Sequence, residues 1–398
     1  MGCGFSFIHC ADLHLGSRFW GLTNKDPELG RKLYQATFSS FSRIVDIGIA
    51  EADFMVVSGD IYDELVETPR TRAFFASEMK RFGKPCFIVT GNHDHVHGWS
   101  ESIPYPENVI QFGTEPSKAR LRIRETQIEI AGVSFNGSHT EENLVSKIRG
   151  TPGMFTIGVV HCSVGSIGDS HPYAPCTMED FMGKDIQYWA LGHIHKRMVL
   201  RDSEPMVVYP GNIQGRDINE SGEKGCYLVS VEGGNINTDF IPTQEIVWKE
   251  VAADITGKST IQELVESVKA QIRGDTIIAV NFVGSGPLNH LVRRDPQDIV
   301  ELISLETGCP ATLRKLVCKS EIDLEQAAQS GTVLADIIRS ANSLSELSDY
   351  ELLELLCSKG PASDLRPYLE YYAKHGKLHD LIAEAEMSAI DRVQGAEE

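Results

Sequence analysis

Short apolar runs and longer amphipathic stretches alternate through the first ~200 residues. Phe5–Cys10, Phe54–Ser58, Cys86–Thr90, Phe155–His161 and Tyr188–Gly192 are nearly continuous in apolar residues, the pattern of strands buried on both faces. Between them Leu29–Glu51 and Pro69–Phe82 carry helical periodicity. Buried strands alternating with helices predict an α/β layered sandwich. From Arg197 to Trp248 the pattern shifts to short alternating strands, Met206–Tyr209, Gly225–Val231 and Asn235–Ile241, which extend the same domain.

After Ala252 the order becomes helix (Lys258–Arg273), strand (Thr276–Val283), helix (Asp295–Glu306) and strand (Ala311–Ser320), a small appended α+β unit. From Gly331 onward the chain reads as acidic amphipathic helices over Val333–Ala341, Leu347–Cys357, Leu365–Ala373 and His379–Val393. The expected domains are therefore 1–252, 253–330 and 331–398.

Composition narrows the function classes. The 398 residues carry 37 Lys+Arg and 56 Asp+Glu, a formal charge of -19. Up to Glu250 there are 23 basic against 32 acidic residues, and after it 14 against 24, so neither part is a basic nucleic-acid module. The nine cysteines include no C-x-x-C pair, which points to free thiols in a reducing compartment rather than a zinc–thiolate site. No apolar stretch reaches membrane-span length and no secretory leader pattern is present, so a cytoplasmic location without membrane contact is expected.

Five short motifs carry the chemistry: Asp12-Leu13-His14, Gly59-Asp60, Gly91-Asn92-His93-Asp94, His161, and Gly192-His193-Ile194-His195. Each follows or ends a predicted strand, the edge at which open α/β sheets bind ligands. Carboxylate, amide and imidazole donors without thiolate suit a pair of divalent cations, manganese, iron or zinc. Such a pair activates water for attack on phosphorus, and an imidazole outside the ligand set is suited to protonating the leaving oxygen. Asp-x-His alone is a weak signal. Gly-Asn-His-Asp directly after Phe87–Thr90 is stronger than a turn requires, and the ordered set of five is specific. His9 reads as a buried, hydrogen-bonded histidine of the first strand; His95 and His97 remain open between a substrate contact and an exposed loop.

In sequence and order these motifs resemble the calcineurin-like metallophosphoesterases. Phe7–Gly16 is similar to the SbcD-type DNA-repair exonucleases, and Tyr209–Arg216 with Lys224–Tyr227 resembles their YhaO-like bacterial branch. The resemblance implies a four-layer sandwich of two mixed sheets flanked by helices. It implies that Asp12, His14 and His195 hold one metal, that Asp60 bridges both, and that Asn92, His161 and His193 complete the second site. His93 would be the proton donor, oriented by Asp94, with Arg216 and Asn212 as substrate contacts. Asp63, in the loop of Asp60, is open between a loop cap and an outer role. Asp217 stands where this branch is expected to carry a histidine, replacing a basic or neutral contact by an acidic one. The activity implied is manganese-dependent DNA exonuclease or endonuclease cleavage in repair, with an SbcC-type coiled-coil ATPase docking on the C-terminal helices. A homodimer through Leu29–Glu51 or Pro69–Phe82 is a further expectation. The alternatives are a small-nucleotide phosphodiesterase or phosphatase, and a non-catalytic scaffold.

Overall fold

In a computed structural model, residues 4–17, 27–63, 68–94, 102–165, 173–272, 276–319, 327–358 and 365–394 are described. His95, His97 and His171 lie outside them. The chain divides into two compact units, Met1–Lys249 and Glu250–Glu398.

The first unit is built on two six-stranded sheets. Its strands in chain order are β1 (Phe5–Cys10), β2 (Phe54–Ser58), β3 (Cys86–Val89), β4 (Val109–Gln111), β5 (Ser117–Ile123), β6 (Thr126–Val133), β7 (Phe155–His161), β8 (Ser163–Val164), β9 (Pro175–Cys176), β10 (Tyr188–Gly192), β11 (Met198–Arg201), β12 (Met206–Tyr209), β13 (Gly225–Glu232) and β14 (Asn235–Pro242). One sheet runs β14-β13-β1-β2-β3-β4 and the other β11-β12-β10-β7-β6-β5, while β8 and β9 form a separate short pair. In each large sheet four neighbouring strands are parallel (β1 to β4; β12, β10, β7 and β6), and the antiparallel pairings lie towards the edges.

The alternation along β1 explains its continuous apolar run. Phe5 and Phe7 point between the sheets, with Phe54, Val56, Phe87, Ile130, Val159 and Tyr188. Ile8 and Cys10 point the other way, onto Phe41 of helix Pro27–Glu51 and Phe75 of helix Pro69–Phe82. On the outer face of the second sheet, Val133, Val160 and Leu191 pack with Leu144 and Phe181. Both faces of both sheets are thus covered, as parallel sheets require.

His9 lies between the sheets. Its Nε2–H faces the carbonyl of Leu191 at 3.3 Å, so Nδ1 is the acceptor for the Tyr188 hydroxyl at 2.9 Å. Ser58 donates across the same interface to the Ala190 carbonyl at 3.0 Å. These bonds tie β1 and β2 to β10 directly beneath the strand ends that carry the motifs.

In the second unit, strands β15 (Val247–Asp254), β16 (Thr276–Val283) and β17 (Ala311–Leu316) form one sheet in chain order, with β16 and β17 parallel. Its apolar core joins Val251 and Val280 to Leu264 of helix Ile261–Lys269 and Ile303 of helix Pro296–Thr307. Helices Val333–Ser345, Asp349–Ser358, Arg366–Lys374 and Leu378–Gln394 follow, with Leu352, Leu369, Leu378 and Ile382 forming a smaller core. The C-terminal helices group with this sheet in one unit. No described helix is long and apolar enough to cross a membrane.

Candidate metal centre

Each motif leaves the C-terminal end of a parallel strand. Asp12 and His14 follow β1, Asp60 follows β2, Asn92 and His93 follow β3, His161 ends β7, and His193 and His195 follow β10. The loops are held in costly backbone conformations: Asp12, His14, Asp60 and His193 have φ of +51°, +41°, +52° and +103°. Left-handed backbone costs non-glycine residues of order 1–3 kcal/mol each, and it persists where surrounding bonds over-determine it. Those bonds are present. The amides of Asp12, His14 and Leu15 donate to the carbonyls of Gly59, Asp60 and Ile61, each at 3.0 Å. The carboxylates also accept from each other's neighbourhood: His93 N–H donates to Asp60 Oδ1 at 3.0 Å, and His193 N–H to Asp12 Oδ1 at 3.0 Å.

Two donor groups result. Asp12, His14 and His195 form one and Asp12, Asp60 and His161 the other, with ligand atoms in each within 4.8 Å of one another. Asp60 Oδ2 stands 3.7 Å from His14 Nε2 and 3.4 Å from His161 Nε2, so this carboxylate also lies between the groups. The Asn92 amide oxygen is 3.0 Å from His161 Nε2. The His193 ring packs beside that of His161, with centroids 5.2 Å apart.

The protonation logic of these rings favours a cation. His161 Nδ1 meets the Ser58 carbonyl at 3.0 Å, which puts the hydrogen on Nδ1 and leaves a lone pair on Nε2. His161 Nε2 faces two oxygens, Asn92 Oδ1 at 3.0 Å and Asp60 Oδ2 at 3.4 Å. Likewise His195 Nδ1 meets Glu220 Oε1 at 2.6 Å, leaving its Nε2 lone pair 3.1 Å from His14 Nε2. Burial, with Arg216 and His195 nearby, holds His14 well below the usual imidazole range and therefore neutral. Asp12 is raised by burial, against the pull of His195 and His161. Buried carboxylate oxygens and imidazole nitrogens converging within 4.8 Å are a donor set suited to divalent cations, so the residues present fit such ions in both groups.

His93 stands beside these groups. Its Nδ1 is 3.4 Å from Asp63 Oδ1, and its side chain keeps 39% of its exposure. The hydrogen bond to Asp63, helped by Asp60 nearby, raises it to about 9. Asp94 is placed differently from the sequence expectation. Its buried carboxylate accepts from the amides of Gly91 (3.0 Å), Ile61 (3.2 Å) and Tyr62 (2.9 Å), stitching the β3 loop to the β2 loop. Asp63, not Asp94, is the carboxylate against His93.

Glu220 went unnoticed in the sequence. Besides His195, it accepts from Asn212 Nδ2 at 2.6 Å and from the Arg216 amide at 2.7 Å through Oε2. The His195 and Arg216 interactions hold it below the ordinary carboxylate range, although burial opposes them. Asn212 is buried and spends its amide hydrogens on Glu220 and Gln214. Asp217 is exposed and accepts from Asn219 N–H at 2.6 Å, a turn within its own loop. A glutamate in a polar loop 25 residues beyond the histidine it orients leaves no pattern in one sequence.

Residues 5–197 match the family model described as calcineurin-like phosphoesterase, a span that holds every donor of both groups. The chain is a calcineurin-like metallophosphoesterase of the branch that includes YhaO and Mre11. It is 34% identical over 271 residues to the metallophosphoesterase YhaO of Bacillus subtilis, and that match spans 66% of each chain. It is 24% identical over 280 residues to the DNA double-strand break repair protein Mre11 of Methanocaldococcus jannaschii, covering 66% of this chain and 73% of the relative. With Mre11 of Methanococcus maripaludis it shares 25% identity over 291 residues, covering 65% and 73%.

Proposed function

We propose that this metal-dependent phosphoesterase is a DNA nuclease that hydrolyses phosphodiester bonds in repair. The observation that carries the reading is the pair of donor groups at the strand ends with the partly exposed imidazole of His93, faced by Asp63 at 3.4 Å, beside them. Asp12, His14 and His195 would hold one cation, and Asn92, His161 and His193 with Asp60 the other; manganese is the ion expected, iron and zinc having the same donor preference. When bound, the two ions supply an activated water and neutralise charge on the phosphate oxygens. His93 gives its proton to the leaving oxygen, and Asp63 keeps the ring charged and aimed.

DNA as substrate is supported by similarity to proteins named for double-strand break repair. The charge of -19 calls for a partner that brings basic surface, and an SbcC-type coiled-coil ATPase docking on the C-terminal helices fills that role. The same charge favours a second reading, a phosphodiesterase or phosphatase of small nucleotides. A non-catalytic scaffold is disfavoured by the two donor groups, Asp12 with His14 and His195 and Asp12 with Asp60 and His161. The test is incubation of the chain with Mn2+ and either labelled duplex ends or bis-p-nitrophenyl phosphate. The nuclease reading expects cleavage of DNA, strengthened by the ATPase partner. Turnover of the small ester, with none of any DNA in either condition, favours the second reading.

A further inference from the structure

Arg216 lies where the two histidine arms of the site meet. One guanidinium nitrogen, Nη1, is 3.5 Å from Asp63 Oδ2; the other, Nη2, is 3.6 Å from Glu220 Oε1. Those carboxylates each already serve a histidine: Asp63 faces His93 Nδ1 at 3.4 Å, and Glu220 faces His195 Nδ1 at 2.6 Å. Nη2 also lies 3.3 Å from His195 Nδ1. Since the Nδ1 hydrogen goes to Glu220, that approach is two donors crowded around one shared carboxylate, not a bond between them. The Arg216 backbone amide donates to Glu220 as well, at 2.7 Å.

The guanidinium is therefore neutralised on both sides by groups of the site itself. Its side chain is only 21% exposed, and its Nε is buried without a hydrogen-bond partner. Both terminal nitrogens face carboxylates of the site itself, and the little exposure of the side chain leaves the guanidinium turned towards them rather than towards solvent. The planar fork suits this arrangement, since two separate nitrogens reach two separate carboxylates at fixed spacing.

We propose that Arg216 is a positioning residue that bridges Asp63 and Glu220, holding the rings of His93 and His195 in one frame, and that it is not a phosphate contact. The proposal rests on the reading of His195 as a metal ligand and of His93 as the proton donor. It differs from the sequence expectation, in which Arg216 touches substrate.

The full chain with Arg216→Met and with Arg216→Lys separates the possibilities. Mn2+ binding is measured by titration calorimetry on chelator-stripped protein, and steady-state turnover with bis-p-nitrophenyl phosphate. The bridge predicts that both variants bind one of the two Mn2+ equivalents about 10–100-fold more weakly, the usual loss when a ligand's orienting partner goes. It also predicts that kcat falls while KM stays within about twofold, and that Lys does not rescue, because a point charge cannot span both carboxylates. A tenfold rise in KM with unchanged Mn2+ binding would assign Arg216 to the substrate and overturn the bridge. Wild-type behaviour of Arg216→Lys in both assays would do the same, leaving charge alone as the role. Should Arg216→Met fold poorly, Arg216→Lys, which keeps charge and stem, decides. If the unaltered chain turns over no phosphodiester, the functional reading fails, while the Mn2+ affinities still decide the bridge.

Discussion

The Asp63 carboxylate lies 3.4 Å from Nδ1 of His93, and this contact sets the state of the imidazole beside the metal groups. In the metal-free chain the hydrogen bond to Asp63, with Asp60 nearby, raises the ring to about 9, the direction that favours the proton a leaving oxygen needs. Replacing His93→Asn removes the donor and nothing from the clusters of metal-binding atoms. Turnover of bis-p-nitrophenyl phosphate should fall by roughly 10²–10⁴-fold, the usual worth of general acid catalysis, while bound Mn2+ stays near that of the unaltered chain. Asp63→Asn should cost less, because the donor remains. Unchanged turnover in His93→Asn would remove His93 from the reaction.

Gly91 sits where Asp60 leaves no room for a side chain. A Cβ there would fall 2.1 Å from Asp60 Oδ1 and 2.8 Å from the Asp60 backbone nitrogen. Gly91→Ala should therefore displace Asp60, the carboxylate lying between His14 and His161, lowering metal content measured by elemental analysis, at a stability cost of roughly 1–3 kcal/mol. Gly113→Ala, whose Cβ meets nothing within 4 Å, is the control and should keep its metal. Full metal content in Gly91→Ala would contradict this role for Asp60.

The strands and the motifs could be read because burial and chemistry both lie in residue identity. The runs Phe5–Cys10, Phe54–Ser58, Phe155–His161 and Tyr188–Gly192 are apolar on both faces, and the strands have those bounds. Strand β5 gives no such signal, since Lys118, Arg120 and Arg122 alternate on an exposed edge strand and leave no buried run. The site divides in the same way. Asp12, His14, Asp60, Asn92, His161 and His195 announce themselves by type and order. Asp63, Asp94 and Glu220 are carboxylates whose roles depend on where loop backbone carries them. Asp94 adjoins His93 in sequence, yet three backbone amides claim it.

Glu220 donates no atom to either donor group, but it decides which nitrogen of His195 carries the hydrogen. Glu220→Gln keeps the shape and offers an amide in place of a full charge, with a donor that competes for the lone pairs around it. Affinity for one Mn2+ equivalent should drop about 10–100-fold in titration calorimetry, with the second equivalent little changed. Equal loss at both sites, or at neither, would break the assignment of Glu220 as the group that orients His195.

His9 gives the fold a dependence on pH that is separate from the metal groups. It is fully buried between the sheets, with Nε2–H given to Leu191 and Nδ1 accepting from Tyr188. Burial, only partly offset by the Leu191 bond, lowers it to about 3, so the folded chain refuses a proton that the unfolded chain binds below its ordinary value of 6.5. Its contribution to stability is complete above pH ~6.5 and is lost progressively as the pH falls from there towards 3. Between pH 7.5 and 5.5 that loss amounts to about 1.4 kcal/mol. Buried His14 is shifted in the same direction, whereas His93, raised to about 9, gains stability over the same interval, so the loss of the whole chain does not report His9 by itself. The difference between the unaltered chain and His9→Gln isolates His9. Urea unfolding of chelator-stripped protein at the two pH values should show the variant less stable overall, yet losing about 1.4 kcal/mol less on acidification. Parallel losses in the two proteins would mean that His9 does not titrate on unfolding in that range.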